Sequence, residues 1–135
     1  MSVTSLVVKP IGRVKSAADE GTPLSEWASI ESQIVFDPAM AAGLEGLEAG
    51  QDILVVFWFD RSEGFDLLQH PRGDTSRCKR GVFTLRSPHR PNPIGVSQVH
   101  LLAVEGNVLL VRGLDAFNGT PVLDVKPVAS RKSFV

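Results

Sequence analysis

The sequence predicts a mainly β fold in a single domain over residues 1–135, and three observations support that prediction. The 135 residues are 43% hydrophobic and 21% charged, a balance typical of one globular domain with a substantial core. Six or seven short segments rich in β-branched and aromatic residues are separated by turn residues, as in barrels and sandwiches. Helical content is too low for the alternating strands and helices of a Rossmann fold. The residues therefore indicate an all-β barrel or a sandwich-like fold with one or two short helices.

The N-terminal third supplies the first two strands and a short helix. An opening strand is predicted at residues 6–14, and residues 30–36 alternate apolar and polar side chains, as a half-buried strand does. Asp37 and Pro38 favour a helix N-cap and a first helical position, and Gly43 favours the C-terminal stop. We expect this helix to connect the second strand to the next one.

The strongest strand signal is the run QDILVVFWFD at residues 51–60, which is β-branched, aromatic and nearly uninterrupted. Such a run predicts a central strand with both faces covered. Residues 61–81 show little periodicity, and loops of that length are usually functional or disordered. Residues 105–107 have the composition of a hairpin turn. The remaining strands are predicted at residues 82–85, 96–104, 108–111 and 122–125.

The charged residues are unevenly distributed. The formal net charge of −1 argues against nucleic-acid binding through the whole surface. The stretch at residues 72–90 is nevertheless strongly basic, and Asp74 is its only acid. It predicts either one basic face or a solvated loop. Its basic residues and histidine are Arg72, Arg77, Lys79, Arg80, Arg86, His89 and Arg90.

Several function classes lack their motifs. The chain has no GxGxxG, Walker A or GxSxG sequence, so Rossmann cofactor binding, P-loop chemistry and serine hydrolysis are unsupported. The three histidines lack metal-ligand spacing, and we expect no metal site. The single cysteine, Cys78, excludes an intramolecular disulfide and favours a reducing compartment. No signal peptide or membrane-spanning run is evident, so we expect a cytoplasmic protein without a membrane partner.

The segment RSPHRPNPIGVS at residues 86–97 is the most unusual in the chain. Pro88, Pro91 and Pro93 hold the backbone extended, so neighbouring polar groups lose little conformational entropy on binding. Arg86 and Arg90 offer planar guanidinium groups suited to carboxylate or phosphate. The segment therefore predicts a preorganised loop for an anionic or zwitterionic ligand.

Other polar segments have ordinary structural explanations. HPRGD at residues 70–74 has good turn chemistry, and residues 118–121 fit a simple hairpin turn. Asp115 and Asp124 could each cap the local backbone. Trp27, at a boundary between loop and strand, is of a type found more often in a core or interface than as a ligand platform.

Two long motifs, GVFTLRSPHRPNPIGVS at residues 81–97 and GLDAFNGTPVLDVKP at residues 113–127, carry a family resemblance. They resemble the TsaA-like, YaeB-like family, whose characterised members are the TrmO tRNA methyltransferases. Shorter similarities in IGRVKS, GLEGLE, VVFWFD and HPRGD extend the resemblance over nearly the whole chain.

The resemblance implies a fold and an activity. It implies a compact, non-Rossmann β-barrel that binds S-adenosylmethionine, generally as a homodimer. It also implies methylation of N6 of threonylcarbamoyladenosine at tRNA position 37, so the expected partner is the anticodon loop of tRNA.

The resemblance further implies which residues bind the cofactor. Family members use the first loop, the end of the central strand, the arginine of the RS motif and the GLD segment. Many relatives carry Pro-Arg-Gln in the first loop and histidine at the end of the central strand, where this chain has other residues. The positions carried over are Ser25, Glu26, Trp27, Asp60, Arg61, Arg86, Val96, Arg112, Gly113, Leu114 and Asp115.

Positioning of donor and acceptor supplies most of the rate of methyl transfer, and a group beside the acceptor nitrogen would assist it. A hydrogen-bond acceptor there would help the delocalised N6 lone pair to rehybridise, and Asp115, the Asn92 amide or a backbone carbonyl near Pro93 could supply it. Arg86 could hold either the cofactor carboxylate or the threonyl carboxylate. The residues expected to contact RNA are Arg72, Arg77, Lys79, Arg80, His89 and Arg90.

Two alternatives remain beside the tRNA methyltransferase. One is a methyltransferase of the same fold acting on another substrate. The other is a non-catalytic regulator that binds S-adenosylmethionine.

Overall fold

The computed structural model describes residues 4–18 and 20–128, and its body is a closed barrel of six antiparallel strands. The order around the barrel is β1-β2-β7-β6-β3-β8, so the mainly β barrel expected for this chain is confirmed. A separate two-stranded ribbon pairs β4 with β5. The strands are β1 (Gly12–Lys15), β2 (Glu31–Phe36), β3 (Asp52–Trp58), β4 (Leu68–Gln69), β5 (Arg80–Gly81), β6 (Ile94–Glu105), β7 (Val108–Arg112) and β8 (Pro121–Pro127).

The opening strand is shorter than predicted. β1 begins at Gly12, and the exposed side chains of Leu6 and Val7 lie outside the barrel. Gly12 pairs with Phe36 of β2, and a Cβ atom at residue 12 would lie only 2.8 Å from the carbonyl oxygen of Val35. The barrel therefore closes at a glycine, where the two backbones can approach.

The described helices are all 3₁₀ helices. They span Leu24–Ser29, Pro38–Leu44, Pro71–Gly73 and Val82–Thr84, and none is long and apolar enough to cross a membrane. The predicted N-cap is confirmed, because Asp37 Oδ1 accepts a hydrogen bond from the amide of Ala39 at 3.0 Å. The predicted stop at Gly43 is wrong by one residue. The helix continues to Leu44, whose side chain packs into the barrel core.

The strand predicted at residues 82–85 is also wrong. The chain turns there, with the amide of Leu85 donating to the carbonyl of Val82 at 3.1 Å. Val82 is buried while Phe83 is 76% exposed. The apolar composition that suggested a strand therefore comes from one buried residue and one surface residue.

The central strand faces the core on one side only. Ile53, Val55 and Phe57 alternate into the barrel and are almost fully buried. The prediction that both faces are covered is wrong, because Val56 and Trp58 lie on the outer surface and are partly exposed. An antiparallel barrel has a single interior, so alternate residues of every strand face outward.

The two predicted hairpin turns have different outcomes. Residues 105–107 form the expected hairpin between β6 and β7, with Gly106 at a φ of 60°. Residues 118–121 begin with a turn, in which Gly119 has a φ of 86°, but they do not form a hairpin. They lie where the connection from β7 enters β8, and these two strands are not neighbours in the barrel.

Candidate functional site

Two adjoining cavities lie where β3 ends and β6 and β8 begin. The smaller has a volume of about 400 Å³ and the larger a volume of about 1380 Å³. Four residues line both cavities and form their common wall: Arg86, Pro88, His89 and Asp115.

The common wall is held against the end of β3 by hydrogen bonds at both ends of the proline-rich segment. The amide of Phe59 donates to the carbonyl of Pro93 at 2.7 Å, and Ser62 Oγ donates to the carbonyl of Pro88 at 2.9 Å. The segment is thus fixed at two points, but the prediction of an extended backbone is wrong, because tight turns bend it where the amide of Arg90 donates to Pro88 at 3.1 Å and the amide of Ile94 to Asn92 at 2.7 Å. Arg86 projects from this support as an exposed side chain.

Arg90 has a different position from Arg86. Its Nη1 donates to the carbonyl oxygens of Leu85 at 2.9 Å and Ser87 at 3.1 Å. Arg90 lines neither cavity, so its guanidinium closes the loop that carries Arg86.

The smaller cavity has aromatic walls. The rings of Trp27 and Phe117 are 5.8 Å apart, and those of Phe57 and Phe59 meet edge to face at 5.1 Å. All four line the cavity. Aromatic faces of this kind attract flat heterocycles and cations.

Arg61 connects β3 to the turn that carries Phe117. Its Nη2 donates to the carbonyl of Asn118 at 3.0 Å, and its guanidinium carbon lies 4.9 Å from the centre of the Phe117 ring. The Asn118 side chain accepts a hydrogen bond from the amide of Ser16 at 3.0 Å. The aromatic wall is therefore held from β3 and from the end of β1.

Both signs of charge occur around the smaller cavity. Asp60, Asp115 and Glu20 contribute carboxylates, while Arg61 and Arg86 contribute guanidinium groups. Together with the aromatic walls, this lining suits a zwitterionic ligand that carries a flat ring.

The larger cavity is lined by cations. Within residues 4–18 and 20–128, none of the four cations at positions 72–80 lies within 4.0 Å of a carboxylate. They are Arg72, Arg77, Lys79 and Arg80.

Arg72 is held in an unusual backbone conformation. It is the only non-glycine residue with positive φ in the described chain, at 54°. Hydrogen bonds from the amide of Gly73 to the carbonyl of His70, at 3.0 Å, and from the amide of Asp74 to Pro71, at 3.0 Å, close this turn. Such strain persists only where surrounding contacts fix it, and it is common in binding sites.

Asp74 stabilises the same turn from its C-terminal side. Its Oδ1 accepts hydrogen bonds from the Ser76 hydroxyl at 2.6 Å and from the Ser76 amide at 3.0 Å. These bonds lower the pKa of Asp74, and the positive charge of His70 lowers it further. Asp74, the only acid of the basic stretch, therefore forms its side-chain hydrogen bonds within this loop.

The structure brings together part of the predicted cofactor set. Five of those residues line the smaller cavity: Trp27, Asp60, Arg61, Arg86 and Asp115. Ser25 and Glu26 are exposed on the 3₁₀ helix that carries Trp27. Arg112 is exposed at the end of β7, and Gly113 follows it with a φ of 90°.

Ser25, Glu26, Arg112 and Gly113 line neither cavity, and the same holds for three further predicted residues. Leu114 is fully buried in the barrel core, so its side chain faces the core. Val96 is 49% exposed on the outer face of β6, opposite Val56. Asn92 is exposed and lines neither cavity. Five of the six residues predicted to contact RNA line the larger cavity, and Arg90 is the exception.

Sequence reasoning missed part of the smaller cavity. Phe57 and Phe59 belong to the alternating pattern at the end of β3, and Phe117 lies inside the second long motif. Their alternation and motif position were available signals, but core packing explains aromatic residues at such positions equally well. In the described part of the chain, no group of three or more His, Cys, Asp or Glu side chains is arranged to hold a metal ion.

The fold and the site define a non-Rossmann β-barrel protein with a small-ligand cavity beside a basic one. Comparison with known families identifies it further: a family model described as the tRNA-methyltransferase O N-terminal domain matches residues 16–132. The chain belongs to this family, as the sequence motifs predicted. The predicted cofactor, S-adenosylmethionine, is confirmed as the cofactor of the family.

Two relatives of this chain differ from each other in length. The chain is 41% identical over 124 residues to an S-adenosyl-L-methionine-binding protein of Archaeoglobus fulgidus, covering 90% of this chain and 88% of the relative. It is 35% identical over 136 residues to the tRNA (adenine(37)-N6)-methyltransferase of Homo sapiens, covering 91% of this chain and 30% of the human protein.

A solved structure shares the fold. The chain matches TrmO from Pseudomonas aeruginosa with a TM-score of 0.74 and 31% identity, over 98% of this chain and 60% of that one. It therefore spans about three fifths of the length of the TrmO structure.

Proposed function

We propose that this protein binds S-adenosylmethionine in the smaller cavity and methylates N6 of threonylcarbamoyladenosine at position 37 of tRNA. The main support for this proposal is the common wall that the two cavities share. A methyl transferase must bring donor and acceptor into contact in a fixed orientation. Two cavities that share Arg86 and Asp115 allow that contact without a large movement.

The lining of the smaller cavity fits S-adenosylmethionine. Its volume of about 400 Å³ is within the range of small-molecule sites. Trp27 and Phe117 provide aromatic faces for adenine or for the positively charged sulfonium. Asp60 is available to an ammonium or ribose hydroxyl, and Arg86 to a carboxylate. When bound, the cofactor supplies an activated methyl group on sulfur.

Asp115 is the better of the two candidate catalytic side chains. It lines both cavities, whereas Asn92 lines neither. A carboxylate beside the acceptor accepts a hydrogen bond from the N6–H group and receives the proton that the nitrogen loses on methylation. Arg86, which also lines both cavities, holds a carboxylate of the cofactor or of the threonyl group.

The larger cavity supports an RNA substrate. Arg72, Arg77, Lys79 and Arg80 line it without carboxylate partners among the described residues. Cations in this state are available to phosphates, and the resulting affinity falls as salt concentration rises. A tRNA substrate is in keeping with a cytoplasmic location.

A homodimer is part of the proposal. Ile94 and Val96 are 39% and 49% exposed on the outer face of β6, beside Trp58 and Val56 of β3. The family resemblance assigns Val96 to the cofactor site, and its side chain lies on this outer face and lines neither cavity, which supports a cofactor contact made by a second copy. Val96→Asp should therefore shift the sedimentation of the protein to that of a monomer, whereas Val35→Asp, on the outer face of β2, should not.

One observation favours a second candidate, a binding protein without catalytic activity. The relative from Archaeoglobus fulgidus that is 41% identical over 124 residues is named for S-adenosyl-L-methionine binding and not for methyl transfer. A methyltransferase of the same barrel with another acceptor is the remaining enzyme alternative.

One assay separates these candidates. Purified protein is incubated with methyl-labelled S-adenosylmethionine and with tRNA that carries or lacks the threonylcarbamoyl group, and the nucleosides are analysed by mass spectrometry. We expect methylated threonylcarbamoyladenosine only with the modified tRNA, and none from Asp115→Asn. Calorimetry that shows cofactor binding without methylation of any tRNA would favour the binding protein.

A further inference from the structure

Phe65 is an exposed aromatic residue that lines the larger cavity. It is the only Phe or Trp among the described residues that line this cavity, and its side chain is 51% exposed. Leu24 and Leu68 line the same cavity and are 72% and 61% exposed. An apolar floor is therefore open to solvent beside the cations described above.

The loop that carries Phe65 is anchored to its surroundings. The amide of Val82 donates to the carbonyl of Leu67 at 2.8 Å, and Gln69 Nε2 donates to the carbonyl of Asp66 at 2.6 Å. The ring is consequently presented on a supported loop, which lowers the entropy lost when a partner covers it.

We infer that Phe65 is a stacking platform for an unpaired base next to the adenine that is methylated. This inference rests on the proposed function, because it assigns a contact to the same RNA loop. Every base has an apolar face, so an aromatic side chain beside phosphate-binding cations suits single-stranded RNA. The bases of a duplex are already stacked and cannot cover the ring.

The charges around Phe65 favour RNA over a protein partner. Among the described residues, five Lys or Arg side chains line the cavity, against the three carboxylates of Glu63, Asp66 and Asp115. Four of the five belong to the cluster without carboxylate partners among the described residues, so covering this face with an ordinary apolar protein surface would desolvate unpaired cations. Phosphates next to the stacked base neutralise them.

The test measures RNA binding separately from methylation. Fluorescence anisotropy is used with an anticodon-arm RNA hairpin and with a fully paired RNA duplex of the same length. Phe65→Ala should weaken hairpin binding about tenfold and change duplex binding by less than about twofold. Phe65→Trp should restore hairpin binding, because its ring also stacks. Phe83→Ala is the matched control, since Phe83 is more exposed but does not line the cavity.

Each of the other outcomes would contradict either the inference about Phe65 or the proposed function. Equal hairpin affinity for Phe65→Ala and the unaltered protein overturns the inference while leaving the proposed function intact. An equally large loss in Phe83→Ala also overturns it, because the effect is then not specific to the cavity. A change of Phe65→Ala from dimer to monomer in sedimentation assigns the ring to a protein contact instead. Absence of any RNA binding by the unaltered protein defeats the proposed function itself.

Discussion

Gly95 of β6 lies directly against the ring of Phe57 on β3. A Cβ atom at residue 95 would be only 2.5 Å from Cε2 and Cζ of that ring and 2.8 Å from Phe59. Both rings line the smaller cavity, so the missing side chain of Gly95 determines where this wall lies.

Replacement of Gly95 by alanine should therefore move the aromatic wall. We expect Gly95→Ala to lower the free energy of unfolding by about 1–3 kcal/mol, the usual cost of overpacking. The same variant should bind S-adenosylmethionine more weakly, because Phe57 must move into the cavity or out of the core. Denaturant unfolding and calorimetry measure the two effects. Gly43→Ala is the control, since nothing lies within 4 Å of a Cβ atom there, and an equal loss in both variants would contradict the explanation.

Arg86 and Arg90 should separate binding from stability. Arg86→Ala removes an exposed side chain of the common wall, and we expect about tenfold weaker cofactor or substrate binding with little change in unfolding. Arg90→Ala removes two hydrogen bonds that close the loop, and should lower the free energy of unfolding by about 1–2 kcal/mol. Thermal unfolding and calorimetry on both variants provide the comparison. An unfolded Arg86→Ala would mean that this arginine is mainly structural.

The positive φ of Arg72 predicts an unusual order of stability. Glycine tolerates the left-handed conformation better than alanine, so Arg72→Gly should be about 1 kcal/mol more stable than Arg72→Ala. Both variants lack the guanidinium, so both should bind tRNA less tightly, with a slope against log salt reduced by about one. Denaturant unfolding and RNA titrations at several salt concentrations measure these quantities. Equal stability of the two variants would show that the turn relaxes in solution.

Ser76 should control the titration of Asp74. Its hydroxyl is the largest cause of the lowered pKa of Asp74, followed by its amide. A depressed carboxylate pKa stabilises the fold above the ordinary value of Asp, and this contribution is lost as the pH falls through the folded value. Ser76→Ala should raise the pKa of Asp74, as measured by NMR of the side-chain carboxyl carbon. An unchanged titration curve would show that the amide and His70 are sufficient.

The sequence predicted the elements whose patterns reflect local physics. The β-branched run of β3, the hairpin at Gly106 and the N-cap at Asp37 were each determined by neighbouring residues. The grouping of Trp27 with Asp115 came from family motifs, because only the closed barrel brings these distant positions together.

Positions that depend on three-dimensional context were not predictable in this way. Leu114 lies within a binding motif, yet its side chain belongs to the core. Arg86 and Arg90 are four residues apart and have the same side chain. Only the backbone carbonyls that accept hydrogen bonds from Arg90 show that it closes the loop, whereas Arg86 does not. Strand periodicity shows that Val96 and Val99 face opposite sides, but it does not show which side is inside.

The segment at residues 61–85, which includes the β4–β5 ribbon, contributes little to the barrel interior. Between residues 61 and 85, only Pro71 and Val82 are buried. Most substitutions there should be nearly neutral for folding, because the barrel closes its hydrogen-bonded ladder without them. Substrate preference can therefore diverge in this segment under weak stability constraint, while the small-ligand cavity stays under the strict packing constraint of the core. A graft of this segment from a relative with another acceptor should yield a folded chimera, in which recognition changes and the methyl donor does not.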